Sequence, residues 1–240
     1  MPRLLVIPDI HTYHANVEAI IARARPDVTI FLGDYFDQFH DSPQENRVTA
    51  QWLKQSLAQP NRIHLWGNHD THYAFPGEHT ICGGYTRPKD KAINEIITAE
   101  EWRRLRLYHL AEGFLFTHAG LHRHFVPANR ALEEFLAQTE REALRCLRGK
   151  TFHWSLTPGY IRSGWQIYGG ITWCDWDEFQ PVPGVNQIFG HTPGREPRIR
   201  RELDSYSLCL DTTLPSLGIR HYAIVENREV EVVEVVEVER

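Results

Sequence analysis

Short apolar runs alternate with longer amphipathic stretches through the first third of the chain. Leu4-Leu5-Val6-Ile7 is apolar without interruption and closes at Pro8-Asp9, the pattern of a strand buried on both faces. Val17, Ile20 and Ile21 then fall at helical spacing between a candidate cap at Asn16 and a break at Pro26-Asp27, which predicts a helix to about Ala24. Val28 to Leu32 predicts a second strand stopping at Gly33-Asp34, and Val48, Trp52, Leu53 and Leu57 form one stripe of a helix over about Gln44 to Gln59. Ile63 to Trp66 predicts a third strand ending at Gly67-Asn68. Strands alternating with helices in this way imply a parallel sheet covered by helices, hence an α/β fold.

The middle is less periodic. Thr71 to Lys89 mixes glycines, prolines and aromatics and reads as an ordered excursion, with Tyr73, Phe75 and Tyr85 packing it onto the body. Thr98-x-x-Glu101 forms a capping box. Leu105 to Tyr108 and Phe114 to Thr117 predict two strands joined near Glu112-Gly113, and Pro127 predicts the start of a long helix to about Leu147. Lys150 to Gly184 reads as irregular. Strands return at Gln187–Phe189, Ser207–Leu210, His221–Val225 and Glu229–Val238, the last an edge strand with solvated carboxylates. The expectation is one domain over residues 1–240 with irregular insertions at about 71–97 and 150–184.

Composition narrows the classes. Lys and Arg number 26 against 31 Asp and Glu, a net charge of −5 that disfavours nucleic-acid binding. No stretch approaches the roughly 18 apolar residues of a membrane span, and the opening apolar run meets Asp9 too early for a signal peptide. Cys82, Cys146, Cys174 and Cys209 are scattered with no C-x-x-C, so neither a disulfide framework nor a zinc knuckle is indicated and a cytoplasmic location is expected.

The chemistry lies where strands end. The first strand ends in Asp9-Ile10-His11, the second in Gly33-Asp34-Tyr35-Phe36-Asp37 and the third in Gly67-Asn68-His69-Asp70. Later strands end in Thr117-His118-Ala119-Gly120 and Gly190-His191-Thr192. Ligands of open α/β sheets sit beyond the carboxyl ends of strands, so Asp9, His11, Asp34, Asn68, His118 and His191 converge on one crevice. Carboxylate, amide and imidazole together suit divalent first-row metals. With Asp34 as a bridge they could seat two ions, a clamp for phosphoryl transfer. Of the remaining histidines, His14, His40, His72, His79, His122, His124 and His153 read as surface or loop residues.

These five blocks, in this order from residue 9 to residue 192, resemble the calcineurin-like metallophosphoesterase superfamily, whose pattern is D-x-H, G-D-x-x-D, G-N-H-D/E, a lone H and G-H-x-H or G-H-T. The resemblance implies a four-layer αββα sandwich, with two mixed β-sheets flanked by helices. It implies a metal set of Asp9, His11 and Asp34 for one ion and Asp34, Asn68, His118 and His191 for the other. The ions would be manganese first, with iron, zinc, nickel, cobalt or magnesium as alternatives. His69 would contact the phosphate or protonate the leaving oxygen, with Asp37 pairing with it and keeping it charged.

Thr192 after His191, the Thr117-His118-Ala119-Gly120-Leu121 block and Gly170-Ile171-Thr172-Trp173-Cys174-Asp175 are similar to the branch of Ser/Thr protein phosphatases and symmetrical diadenosine tetraphosphatases. That branch writes G-D-x-x-D-R-G, but here Gln38-Phe39 replace Arg-Gly. Arg87, Arg162 and Arg195 are the candidates to supply the missing charge on the substrate phosphate. The expected activity is phosphate-ester hydrolysis by metal-bound hydroxide, a protein-phosphatase-like phosphomonoesterase acting on a phosphorylated small molecule, nucleotide or phosphoprotein. A nucleotide phosphoanhydride hydrolase or phosphodiesterase is the alternative, and a non-catalytic metal-binding scaffold is the competitor from another class.

Overall fold

The computed structural model describes residues 1–38, 40–78, 80–214 and 217–235. In chain order the main elements are β1 (Leu4–Ile7), α1 (His14–Ala24), β2 (Val28–Phe31), α2 (Pro43–Leu57), β3 (Arg62–His64), α3 (Asn68–Ala74), α4 (Arg87–Asn94), α5 (Ala99–Trp102), β4 (His109–Ala111), β5 (Phe114–Phe116), α6 (Leu132–Gly149), β6 (Asn186–Phe189), β7 (Arg198–Glu202), β8 (Ser205–Cys209), β9 (His221–Glu226) and β10 (Glu229–Glu234). They form two five-stranded sheets, ordered β10-β9-β1-β2-β3 and β4-β5-β6-β8-β7. In the first, β1, β2 and β3 are parallel and β9 and β10 antiparallel. In the second, β5, β6 and β8 are parallel, with β4 and β7 as antiparallel edges.

The unbroken apolar run of β1 follows from its place. Leu4 and Val6 meet Phe114, Phe116, Ile188 and Leu208 of the second sheet, while Leu5 and Ile7 join the cluster of Val17, Ile20, Leu53 and Tyr73 under the helices. A strand buried on both faces has no polar positions to alternate. On the far side, Leu115 packs with Phe135, Leu136 and Ala143 of α6. Helices, sheet, sheet and helix therefore stack in the expected four layers.

Several boundaries differ from the sequence expectation. Helix α1 starts at His14 with Tyr13 in the cap position, because the turn closed by Tyr13 N–H to Ile10 C=O runs directly into the helix and leaves no role for Asn16 as a cap. Pro127 opens a turn, and α6 begins only at Leu132; the fixed φ of proline suits either place. Leu105 and Leu107 are buried without joining a ladder beyond one bridge at Arg106, and the predicted strand there shifts to β4. The 71–97 insertion is partly helical, since Thr86 accepts from the Lys89 N–H and starts α4. Strand β7 was unpredicted: Arg-Ile-Arg-Arg-Glu has one apolar residue, tolerable only at a sheet edge. Residues 236–238 of the predicted last strand, like Phe39 and His79, lie outside the described residues.

Candidate metal centre

All six predicted ligands stand where strands of the two sheets end. Asp9 and His11 follow β1, Asp34 follows β2, Asn68 follows β3, His118 follows β5 and His191 follows β6. The backbone bends sharply at these points. His11, Asp34, Asp37 and His191 all have positive φ, between 42° and 71°, a left-handed conformation that side-chain-bearing residues hold only when their surroundings enforce it. Asp70 is one enforcer. Its buried carboxylate accepts the backbone N–H groups of Asp34 (2.9 Å), Tyr35 (3.0 Å) and Gly67 (2.8 Å), tying the β2 and β3 turns together. Close approach of the same turns excludes side chains at two glycines. A Cβ on Gly67 would stand 2.0 Å from Asp34 Oδ1, and one on Gly33 (φ +109°) 2.4 Å from the Gly67 nitrogen.

Candidate ligand atoms of five of the six fall into two triads that share Asp34. One carboxylate oxygen or ring nitrogen from each of Asp9, His11 and Asp34 lies within 4.8 Å of the others, and so do those of Asp34, His118 and His191. Two rings are aimed by backbone carbonyls. His11 Nδ1–H donates to Phe36 C=O and His118 Nδ1–H to Leu32 C=O, each at 2.9 Å, which leaves both Nε2 lone pairs facing the crevice. Asp9 is held by the His191 N–H at 2.9 Å and 3.1 Å.

The donor set fits divalent cations. Around His118 Nε2 stand Asn68 Oδ1 (2.9 Å), His191 Nδ1 (3.2 Å) and Asp34 Oδ2 (3.4 Å), a ring of donor atoms that calls for positive charge among them, a proton on His118 or a cation in its place. His191 Nε2 is buried with no hydrogen-bond partner, and such a group ordinarily has one. The carboxylates of Asp9, Asp34, Asp70 and Asp211 are all buried together, and buried charges need counter-charge. Burial, reinforced by the Asp211 charge, pushes the Asp9 carboxyl well above its usual range. Burial opposes ionisation of Asp34 too, yet the His118 and His69 charges hold its carboxyl well below the usual range. Burial would lower His118, but Asp34 and Asp9 lift it to about 9. Burial and the His118 charge carry His191 well below the ordinary imidazole value.

His69 stands beside the triads. Its N–H donates to Asp34 Oδ1 (2.9 Å) and its Nδ1 meets Asp37 Oδ2 (3.0 Å). Burial disfavours its charged form, but the Asp34 charge and the Asp37 hydrogen bond prevail and raise its pKa well above normal. Asp37 also accepts from Tyr73 Oη (2.5 Å) and Lys89 Nζ (3.1 Å). The crevice encloses about 430 Å³, and its walls include Tyr13, Gln38, His69, Cys82, Arg162 and Trp173. Of the three arginine candidates, Arg162 alone lines it, with Nε 2.6 Å from Asp175 Oδ2. Arg87 sits exposed in the first turn of α4, and Arg195 is exposed after His191; neither is among the lining residues.

Some participants escaped the sequence reading. Asp211 follows β8 and lines the crevice; the run Leu208-Cys209-Leu210-Asp211 shows the same apolar-then-acid ending as β1 and β2. His72, expected at the surface, is fully buried against Asp37, and His122 is buried as well. Cys82 lies 3.3 Å from His72 Nδ1, and although burial opposes ionisation, the two neighbouring imidazoles bring its thiol down to about 7. No local spacing signals Cys82, His72 or Lys89, because contacts across an irregular segment join them.

Three comparisons place this arrangement. A family profile described as calcineurin-like phosphoesterase matches residues 2–195. No curated protein matches the chain in sequence. Among solved structures, a cold-active protein tyrosine phosphatase of a psychrophilic Shewanella species shares the fold at TM-score 0.60 and 14% identity, over 97% of this chain and 77% of that one. A Saccharomyces cerevisiae protein serine/threonine phosphatase aligns at TM-score 0.56 and 13% identity, over 99% and 81% of the two chains. A structure described as a putative diadenosine tetraphosphatase aligns at 0.53 and 17%, over 97% and 93%. At these identities the likeness is one of fold. No helix among the described residues is long and apolar enough to cross a membrane. With the profile spanning most of its length, the chain belongs to the calcineurin-like phosphoesterase family, dimetal-dependent hydrolases of phosphoric esters.

Proposed function

We propose that this crevice hydrolyses phosphate monoesters, in the manner of a protein phosphatase, with manganese as the first metal to test. The observation that carries the reading is the pair of triads sharing Asp34, set directly beside the His69–Asp37 pair. Asp9, His11 and Asp34 would hold one cation, and Asp34, Asn68, His118 and His191 the other. The bound pair supplies Lewis acidity, neutralising phosphate charge and acidifying water. The chain's own side chains do the rest. Arg162, the one candidate arginine on the crevice wall, holds a phosphate oxygen and orients the ester. Asp37 keeps the His69 ring turned and charged through its Nδ1 contact, and His69 gives a proton to the leaving oxygen.

A second reading has its own support. Gln38 lines the crevice where the related branch carries arginine, and Tyr13 and Trp173 offer flat faces on which a base could stack. Those features suit a dinucleotide polyphosphate. The deciding experiment strips the protein with chelator and reloads it with manganese, nickel, cobalt, magnesium, zinc or iron. Each form is assayed on p-nitrophenyl phosphate, a phosphopeptide and a diadenosine polyphosphate. Fastest turnover of the monoesters is expected. Preference for the diadenosine compound would replace the first reading with the second, and no hydrolysis under any metal would overturn both.

A further inference from the structure

A second group of ligand-type side chains stands against the metal centre. A ring nitrogen of His69, a ring nitrogen of His72 and Cys82 Sγ all lie within 4.8 Å of one another. His72 is fully buried. Its Nδ1 is 3.3 Å from the sulfur, and its Nε2 is 2.7 Å from Asp37 Oδ2 at an angle that leaves the nitrogen without a hydrogen bond. His69 Nδ1 meets the same carboxylate oxygen at 3.0 Å. One carboxylate thus backs both rings, the arrangement that orients histidines and raises their basicity toward a metal.

The thiol is brought there by a constrained turn. Gly84 has φ +93°, and a Cβ on it would stand 2.7 Å from Asp37 Cβ; only glycine lets the Cys82 segment close this tightly onto Asp37. Cys82 Sγ also lies 3.7 Å from Asn68 Nδ2, so the cluster abuts the six-residue site without sharing its carboxylates. One sulfur and two imidazoles make a softer donor set than the carboxylate-bridged triads. Cys82 and His69 both face the crevice, which leaves an open side for water.

We propose that His69, His72 and Cys82 form a separate site for one thiophilic divalent cation, zinc or cadmium, and that filling it withdraws His69 from the hydrolytic crevice. On binding, the Cys82 thiol releases its proton to solvent and forms the metal–sulfur bond. Each imidazole gives one ring-nitrogen lone pair, and Asp37 remains behind the rings. Only the withdrawal of His69 rests on the phosphoesterase reading; the site itself does not.

The test is a cadmium titration of the manganese-loaded protein. The readouts are the near-ultraviolet thiolate-to-cadmium charge-transfer band, metal content and p-nitrophenyl phosphate hydrolysis. The band should saturate at a single equivalent, with manganese retained and hydrolysis falling in step. Cys82→Ser should abolish the band, His72→Gln should weaken cadmium binding at least about tenfold, and Cys146→Ser, at the half-exposed cysteine on α6, should leave the band in place. Absence of the band in the unaltered protein, or its survival in Cys82→Ser, overturns the site. Hydrolysis that persists with the band saturated, or that falls over the same cadmium range in Cys82→Ser, overturns the link to His69. A normal band on a protein that hydrolyses nothing before cadmium faults the phosphoesterase reading instead.

Discussion

The crevice has a floor and a rim, and they are built by different means. The floor is the set of strand ends. Asp9, Asp34, Asn68 and His118 are each at most 2% exposed, and each extends from a strand locked into a ladder. The rim comes from connections: Cys82 to Gly84 after α3, and Arg162 and Trp173 in the long segment between α6 and β6. Arg162 remains 30% exposed. A floor of this kind holds charge in fixed places, as stabilisation of a developing charge requires. A rim on irregular backbone can vary in shape without disturbing the ladders, which suits it to selecting substrates.

This contrast can be broken by substitution. The largest effect is expected from Asp34→Asn, which removes the charge shared by both triads while Asn tolerates the left-handed φ. Turnover should fall about 10⁴-fold or more, several kcal/mol at about 1.4 kcal/mol per decade, and metal content should fall with it. A metal-replete, active Asp34→Asn protein would dissolve the floor as described. His69→Ala is next: a loss of about 10²- to 10³-fold in kcat, typical of a removed general acid, with both metals kept. Loss of metal would make His69 part of the floor's binding set. Arg162→Gln should act on the rim, raising KM about 10- to 100-fold, as a charge-assisted hydrogen bond of about 1.5–3 kcal/mol implies, with kcat nearly unchanged. A kcat loss as large as that of His69→Ala would erase the distinction.

The smallest expected effect is one of stability and lies beneath the floor. His64 in β3 is buried between Ser56 Oγ (2.9 Å) and Tyr35 Oη (3.0 Å), and burial, aided by the Arg62 charge, lowers its pKa from 6.5 to about 3. A histidine depressed in the folded state binds its proton more readily when unfolded. Its contribution is therefore intact above pH 6.5 and is lost as pH falls toward 3. At pH 5 the loss is about 2 kcal/mol, or about 4–8 °C in Tm for a chain of this size. His64→Gln should flatten the Tm difference between pH 7 and pH 5 by that amount. Parallel profiles for the two proteins would show that His64 is not what acid acts on.

The floor was largely legible in the chain and the rim was not. Apolar runs that end in Asp, Asn or His announce strand ends; parallel pairing gathers those ends within each sheet, and the packing of the two sheets against each other brings the two sets together. Asp211 ends a strand by the same rule but outside the five motif blocks, while β7, nearly all polar, has no periodic trace. The excursion from Thr71 to Lys89 shows the opposite limit. Its aromatic residues suggest packing, and Tyr73 is buried, but beyond the His69–Asp37 pair that the family resemblance implies, nothing local foretells that Asp37 also gathers His72, Tyr73 and Lys89 around one carboxylate.

By itself, then, the amino-acid order determined the α/β framework and the six metal-type side chains at strand ends, because strand and helix periodicity is local and repetitive; the second sheet and the four layers were legible only through the family motifs. Only the tertiary structure decided which arginine borders the crevice, that Asp211 joins the buried carboxylates and that Cys82 meets two histidines. Those outcomes depend on how irregular segments pack against distant ones, and such packing leaves no period in the sequence to read.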